Sequence, residues 1–138
     1  MNRIIAAVMV MTIASLILTG CFWGDEFSTK HLTGPYYIIE LQPQSGVWGL
    51  YFEDANSILG EPVTPPVVKV GFNETCIIMQ AAGSTPSFYI VPLRATEDKS
   101  AAIEAIIGPL KKKEFYETLH IISGKEFPRF NPNLTSDN

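Results

Sequence analysis

The stretch "VVKVGFNETCIIMQAA", Val67 to Ala82, indicates the fold class most clearly. Both of its ends are rich in β-branched and apolar residues, and the letters "NET" between them are typical of a short turn. The pattern predicts a hairpin of two strands, Val67–Phe72 and Cys76–Ala81. Because "CIIM" is a continuous apolar run, we expect these strands to lie centrally in a sheet that is covered on both faces.

Similar stretches on either side extend this sheet. "YYIIELQ" and "VWGLYFED" combine aromatic and β-branched residues around the turn "PQSG", and "SFYIVPL" follows the turn "GSTP". They predict three more strands, Tyr36–Gln42, Val47–Glu53 and Ser87–Leu93. The prediction is therefore an antiparallel β-meander of about five short strands.

The last third of the chain changes to a helical period. "TEDKSAAIEAII" predicts a helix with its N-cap at Thr96, although the same letters also fit a loop that leads into a short strand; Gly108-Pro109 then breaks it. In "KKKEFYETLHIIS", an apolar stripe recurs at i, i+4 and i+7, formed by Phe115, Leu119 and Ile122. This stripe would pack on the open face of the sheet. The fold class is thus α+β, an antiparallel sheet packed by a C-terminal helix.

The N-terminus has the pattern of an export signal. Arg3 precedes an almost wholly apolar run, Ile4 to Leu18, which ends in the small residues Thr19-Gly20 before Cys21. The ending "LTGC" resembles the lipobox of bacterial lipoproteins. The resemblance implies a diacylglyceryl group on Cys21 and cleavage just before it. A plain signal peptide followed by a structural cysteine, or an uncleaved anchor, are the alternatives.

These features divide the chain into four parts. We expect a signal peptide at residues 1–20, a lipidated N-terminus and flexible tether at 21–34, one globular domain at 35–124 and an irregular Pro- and Asn-rich tail at 125–138. If Cys21 carries lipid, Cys76 has no second cysteine in the chain with which to form a disulfide. Among Ile77, Ile78 and Met79, it is expected to be a buried free thiol.

The domain also resembles a family of small uncharacterised bacterial lipoproteins. The resemblance rests on "LTGPYYI", "VVKVGFNETCIIMQ", "FYIVPL" and "IIGPLKKKEFYETLHI", between Gly34 and Ser123. It implies the same fold and an envelope location and assigns no catalytic residue. Relatives carry a Ser or Thr cap and acids after the Gly-Pro-Leu step, whereas this chain has Lys111, Lys112 and Lys113.

These three lysines are the candidate binding residues that the sequence offers. Cations at the start of a helix interact unfavourably with the helix dipole, so the lysines do not stabilise the helix. A functional explanation for them is a basic patch that faces anionic headgroups or an acidic partner. The alternative is a solvated turn before the helix begins, with Lys113 paired to Glu117.

The sequence contains no recognisable catalytic motif, and we expect no enzyme, cofactor or metal. His31 and His120 stand alone, and the adjacent Glu53 and Asp54 would point to opposite faces of a strand and lack further oxygen ligands. A formal net charge of −4 and a pI near 5.1 exclude an ordinary nucleic-acid binder.

Three function classes remain. The first is a non-catalytic binding module for a protein or small ligand, such as an inhibitor or immunity-like factor. The second is a structural or assembly component of the envelope, and the third a hydrolase with a nonstandard site. In each case the membrane is contacted through lipid on Cys21, and an envelope or secreted protein is the expected partner. The domain would lie outside the cytoplasm, on the cell membrane or, because Phe22 rather than Asp follows the cysteine, on the outer membrane where one exists.

Overall fold

Seven antiparallel strands form one sheet whose spatial order follows the sequence. The computed structural model describes residues 27–54, 60–94 and 98–135. The strands are β1 Thr29–Thr33, β2 Tyr36–Glu40, β3 Trp48–Phe52, β4 Val67–Phe72, β5 Cys76–Ala81, β6 Phe88–Pro92 and β7 Ile107–Leu110. Three helices accompany them in the described parts: α1 Lys99–Glu104, α2 Lys112–Ser123 and α3 Pro132–Thr135.

The predicted α+β class is confirmed, but the count of about five strands is wrong, since the sheet has seven. β4 and β5 have the predicted bounds, and β2, β3 and β6 lie within the predicted ranges. The two strands that the prediction omitted are β1 and β7, which lie at the two edges of the sheet.

β1 corrects the predicted tether at 21–34 for its second half, whereas residues 21–26 and the predicted signal peptide at 1–20 lie outside the described residues. Thr29–Thr33 pairs with β2, with Lys30 opposite Ile38, and the amide of Glu40 donates to the Ser28 carbonyl at 2.9 Å. Leu32 is the one fully buried residue of this strand. A single apolar contact in an edge strand produces no alternating pattern, which is why the sequence resembled a linker.

The helix α1 ends before Gly108-Pro109, but these two residues belong to a strand, β7, that the prediction omitted. Both residues lie inside the strand, where Ile107 pairs with Ile90 and Leu110 with Phe88 around an irregularity. A proline can occupy an edge strand because its missing N–H leaves no ladder bond broken on the open side. For the preceding segment, the alternatives were a helix and a loop that leads into a short strand. The structure has a short helix, α1, followed by the strand β7. The N-cap of α1 is Asp98, whose side chain accepts from the Ser100 amide at 2.9 Å, whereas Thr96 lies outside the described residues.

The sheet buries residues on both faces, as predicted for its central strands. One face carries the larger core, with Trp48, Leu50 and Ile38 fully buried, and α1 contributes Ala102 to it. The other face is covered by α2, whose Phe115 and Leu119 are buried against Ile78 and Ile90, with Ile122 partly buried beside them. The predicted helical stripe and its packing on the sheet are confirmed.

The C-terminal segment, Glu126–Thr135, has no regular structure up to Asn131 and ends in α3, but it packs into the fold. β3 and β4 pair only at Trp48 and Val67, which leaves the rest of the β4 edge open. The amide of Asn131 donates to the Val70 carbonyl at 2.9 Å, so the segment fills that opening. Phe130 packs in the cluster under α2, whereas Leu134 packs against the larger core on the opposite face. The tail is therefore an integral part of the fold. The sequence did not indicate this, because a Pro- and Asn-rich composition is typical of irregular segments.

Candidate functional site

A groove of about 250 Å³ lies between α2 and the C-terminal segment. Its lining includes the buried side chains of Ile78, Phe115 and Leu119. Tyr116 and Phe127, which are 50% and 44% exposed, stand at its open side. The groove thus combines buried aliphatic and aromatic surface with aromatic side chains that solvent can reach.

Aromatic contacts hold this groove in shape. The ring of Phe115 stacks on Phe88 with centroids 4.8 Å apart and lies 6.3 Å from the parallel ring of Phe130. Tyr116 meets Phe115 edge-on at 5.1 Å. Such ring pairs contribute about 0.5–1.5 kcal/mol each beyond their buried area. The groove is therefore built on the core itself.

The sequence explains how both sides of the groove arise. In α2, Phe115 and Leu119 are four residues apart and turn towards the sheet, which leaves Tyr116 beside them at the boundary with solvent. On the opposite side, Pro128 is buried and Arg129 is exposed. The Asn73 side chain donates to the Glu126 carbonyl at 3.2 Å and so holds the start of this segment on the β4–β5 turn.

The chemistry of the groove is that of recognition. Tyr116 and Arg129 supply the polar groups among its described lining residues. Its volume falls below the roughly 300–1,000 Å³ of pockets that enclose small-molecule ligands. A single apolar side chain of a partner fits this space, and the Arg129 guanidinium can donate hydrogen bonds to a neighbouring carboxylate.

The predicted basic residues lie at the start of α2 and not among the described groove residues. Lys111 is the N-cap, Lys112 and Lys113 begin the helix, and all three are exposed. The predicted pair between Lys113 Nζ and Glu117 Oε1 is present at 3.8 Å. The helix therefore begins within the lysine run and not after it. The Glu114 carboxylate accepts from the Lys111 amide at 3.1 Å, an acid in the first turn that offsets part of the unfavourable charge.

The expectation for Cys76 is confirmed, since it is a buried free thiol. Its sulfur lies 3.3 Å from Ser123 Oγ at the end of α2. Burial raises the pKa of this thiol, and the hydrogen bond with Ser123 opposes the rise only in part. The thiolate that nucleophilic chemistry requires is thus disfavoured. Cys21, the predicted lipidation site, lies outside the described residues.

The remaining polar candidates are separated in the fold. His31 is exposed, with Nε2 2.8 Å from the Gly34 carbonyl, and His120 is exposed on α2 near Phe127. Glu53 accepts from the Tyr37 hydroxyl at 2.7 Å, and this bond raises the pKa of Tyr37. Within residues 27–54, 60–94 and 98–135, no cluster of three His, Cys, Asp or Glu side chains could hold a metal ion.

Sequence reasoning missed the groove residues of the C-terminal segment. Phe127, Pro128, Arg129 and Phe130 form the run "FPRF" inside a stretch assigned to an irregular tail. Two aromatic residues around Pro-Arg in a polar tail were the signal that could have indicated a packed segment. The partner helix was predicted, but the sequence does not show that these elements adjoin.

No protein-family model matches this chain, and no curated protein or solved structure shows significant similarity to it. The resemblance to the small lipoprotein family stays a prediction. In the part of the chain that the structure describes, no helix is long and apolar enough to cross a membrane.

Proposed function

We propose that this chain is a lipid-anchored lipoprotein of the bacterial envelope and that its domain is a non-catalytic binding module for a protein. The observation that carries the binding function is the groove between α2 and the C-terminal segment. The anchor rests on the sequence "LTGC" at Leu18–Cys21 and the apolar run before it. Two or three acyl chains on Cys21 provide stable membrane attachment, where one chain would be marginal.

The occupant that fits the groove best is an apolar side chain followed closely by an acid, on an envelope or secreted protein. Interface hot spots are rich in Tyr and Arg, and aromatic residues are enriched in interfaces, over buried surfaces that exclude water. Tyr116, Phe127 and Arg129 supply these residue types on a single groove. The exposed Arg129 guanidinium selects for negative charge next to the apolar anchor.

In-cell crosslinking from the groove tests this function. A photoreactive phenylalanine analogue at position 116 is expected to give one discrete adduct in the producing bacterium, and the same analogue at Ile121 is the control. Ile121 is 83% exposed on the same helix and is not among the described groove residues. Phe127→Ser and Arg129→Glu, each combined with the analogue at 116, should abolish the adduct.

The partner itself supplies the second readout. Once the adduct is identified, the purified partner should bind the wild-type protein and lose at least about tenfold in affinity to the Arg129→Glu variant, as expected when the charge of an interface hot spot is reversed. An adduct that forms equally from positions 116 and 121, or that survives both groove substitutions, would contradict the proposal. A structural role in the envelope, the second class considered above, would leave position 116 without a discrete adduct.

A further inference from the structure

The strands β2 and β3 carry apolar side chains on the face that turns away from the larger core. Tyr37 of β2 is paired directly with Tyr51 of β3, and directly paired residues point to the same face of a sheet. Their strand neighbours Ile38 and Leu50 are fully buried in the larger core. Because side chains alternate along a strand, Tyr37, Ile39 and Tyr51 point away from that core, and each is partly exposed.

Leu41 and Phe27 extend this surface. Together with Ile39 and Tyr51 they line a recess of about 250 Å³. A Cβ on Gly49 would lie 2.9 Å from Tyr51 Cε2 and 3.1 Å from Leu41 Cδ2, so these two side chains lie over bare backbone. Phe27 is 54% exposed. We call the following five residues the outer face: Phe27, Tyr37, Ile39, Leu41 and Tyr51.

The outer face belongs to neither of the two buried clusters. Within the described parts of the chain, none of its five residues is a member of the larger core or of the cluster under α2. α2 packs near the other edge of the sheet, where Phe115 and Leu119 meet Ile78 of β5 and Ile90 of β6. A contiguous apolar surface outside the core of a folded domain marks contact with a membrane or with another protein.

The predicted lipidation site favours the membrane as the occupant. Phe27 follows Cys21 by six residues, which span at most about 22 Å when fully extended. A lipid on Cys21 therefore keeps this part of the outer face within about 22 Å of the bilayer. The residues between them include Trp23. Trp and Tyr are the residues that are enriched where membrane meets water, and the outer face contributes two tyrosines.

Charge contributes little to the outer face. The Tyr37 hydroxyl donates to Glu53 Oε2 at 2.7 Å, and the ring of His31 lies 4.8 Å from the ring of Tyr37. Beside the recess, the Lys99 ammonium donates to the Glu61 carbonyl at 3.3 Å. The carboxylate of Glu53 and the ammonium of Lys99 offset each other in net charge. Attraction to a membrane would therefore come from the burial of apolar surface.

We infer that the outer face lies on the membrane surface, with its aromatic and aliphatic side chains at the level of the headgroups. This inference rests on the proposed lipid anchor. The burial of apolar surface drives the contact, so the contact needs no anionic lipid. The acids Asp25 and Glu26 of the linker do not oppose it on a membrane without net charge. The outer face shares no residue with the groove between α2 and the C-terminal segment.

The lipidated mature product, reconstituted into phosphatidylcholine vesicles, provides the test. A fluorophore on His31→Cys reports the outer face, because His31 is exposed and lies beside Tyr37. The same fluorophore on Ile121→Cys, which is 83% exposed on α2, is the control. A lipid with a nitroxide on its headgroup quenches fluorophores at the membrane surface. Buried Cys76 should not label, and the protein without an added cysteine checks this.

Quenching at position 31 should exceed quenching at position 121 by about twofold or more, because an interfacial apolar face lies about 5–10 Å into the headgroup boundary. Phosphatidylglycerol and 1 M sodium chloride should leave this difference unchanged, because salt screens charges and does not weaken apolar contacts.

Phe27→Ser should lower the quenching at position 31. Phe27 is largely exposed and precedes β1, so its substitution should leave the domain folded. Phe72→Ser, which removes a partly exposed phenylalanine of β4 outside the outer face, is the matched control and should leave the quenching unchanged.

The anchor and the membrane contact fail in different ways. A product that floats with the vesicles but shows equal quenching at both positions, or quenching at position 31 that 1 M salt removes, overturns the contact and leaves the anchor intact. A product that crosslinks as a dimer through position 31 without being quenched there assigns the outer face to a second copy and overturns the contact as well. A product that does not float overturns the anchor and this inference with it.

Discussion

The main chain of Arg129 passes directly against Gly71 in β4, and a Cβ on Gly71 would collide with the Arg129 carbonyl. Gly71 is required here for the close approach of a second backbone, since its φ is not in the left-handed region. This contact lets the C-terminal segment bond to Val70 and form one side of the groove.

Substitution of Gly71 should therefore displace the C-terminal segment. Gly71→Ala is expected to lower the free energy of unfolding by about 1–3 kcal/mol, the usual cost of overpacking. Urea titration followed by tryptophan fluorescence measures this change. Ser84→Ala, in an exposed turn, is the control and should stay within about 0.5 kcal/mol. A fully stable Gly71→Ala protein with an intact groove would contradict the packing described.

The packing of α2 is tested by two apolar residues of the same helix. Phe115 is 1% exposed, whereas Ile121 is 83% exposed. Phe115→Ala should cost about 3–5 kcal/mol because it leaves a cavity against Phe88. Ile121→Ala should change stability by no more than about 0.5 kcal/mol. Equal losses in the two variants, measured by the same urea titration, would show that α2 does not pack as described.

Alkaline pH should destabilise the fold through groups whose pKa values are raised. Folding favours the protonated form of Tyr37 through its bond to Glu53, and burial favours the neutral forms of Tyr36 and Cys76. The pKa values of these groups in the unfolded state are 9.0 for Cys76 and 10.0 for the tyrosines, lower than in the folded state. The unfolded state therefore releases the protons first. These groups contribute their full stability below the unfolded-state pKa values, and the contribution is lost as the pH rises above them.

The free energy of unfolding should accordingly decline between about pH 9 and 11. Tyr37→Phe removes one of the titrating groups, and its stability should decline less steeply over that interval than the wild type. A wild-type protein whose stability stays constant to pH 11 would contradict these directions.

Counting the reactive thiols tests separately whether Cys76 is buried and whether Cys21 is lipidated. In the native mature protein, Cys76 should not react with a thiol reagent near neutral pH because it is buried and its pKa is raised. In guanidinium chloride, one thiol per chain should react if Cys21 carries a thioether-linked lipid. Two reactive thiols in the denatured mature protein would show that Cys21 is free.

The central sheet could be predicted from sequence because its strands bury residues on both faces. β5 contains the unbroken apolar run Cys76–Met79, β4 is interrupted only by Lys69, and the stripe Phe115–Leu119 of α2 has a clear helical period. β1 contributes only Leu32 to the core, and β7 contains a proline that ordinarily marks a break. Edge strands bury less and tolerate such residues, so their sequences carry little pattern.

The groove could not be predicted for a different reason. Phe127 and Phe130 reach α2 because β4 has an edge that β3 leaves open after Val67. An opening in a sheet is a property of tertiary pairing and leaves no local period in the sequence. The candidate lysines, by contrast, were predicted, since charge runs are visible directly; only their position at the start of α2, directly after the edge strand β7, required the structure.

Lipidation of Cys21 can be measured by metabolic labelling with palmitate. Wild-type protein in the producing bacterium should incorporate the label and be cut before Cys21. Cys21→Ala should incorporate none and remain as the uncut precursor. A Cys21→Ala protein that is labelled, or that is processed like the wild type, would contradict the account.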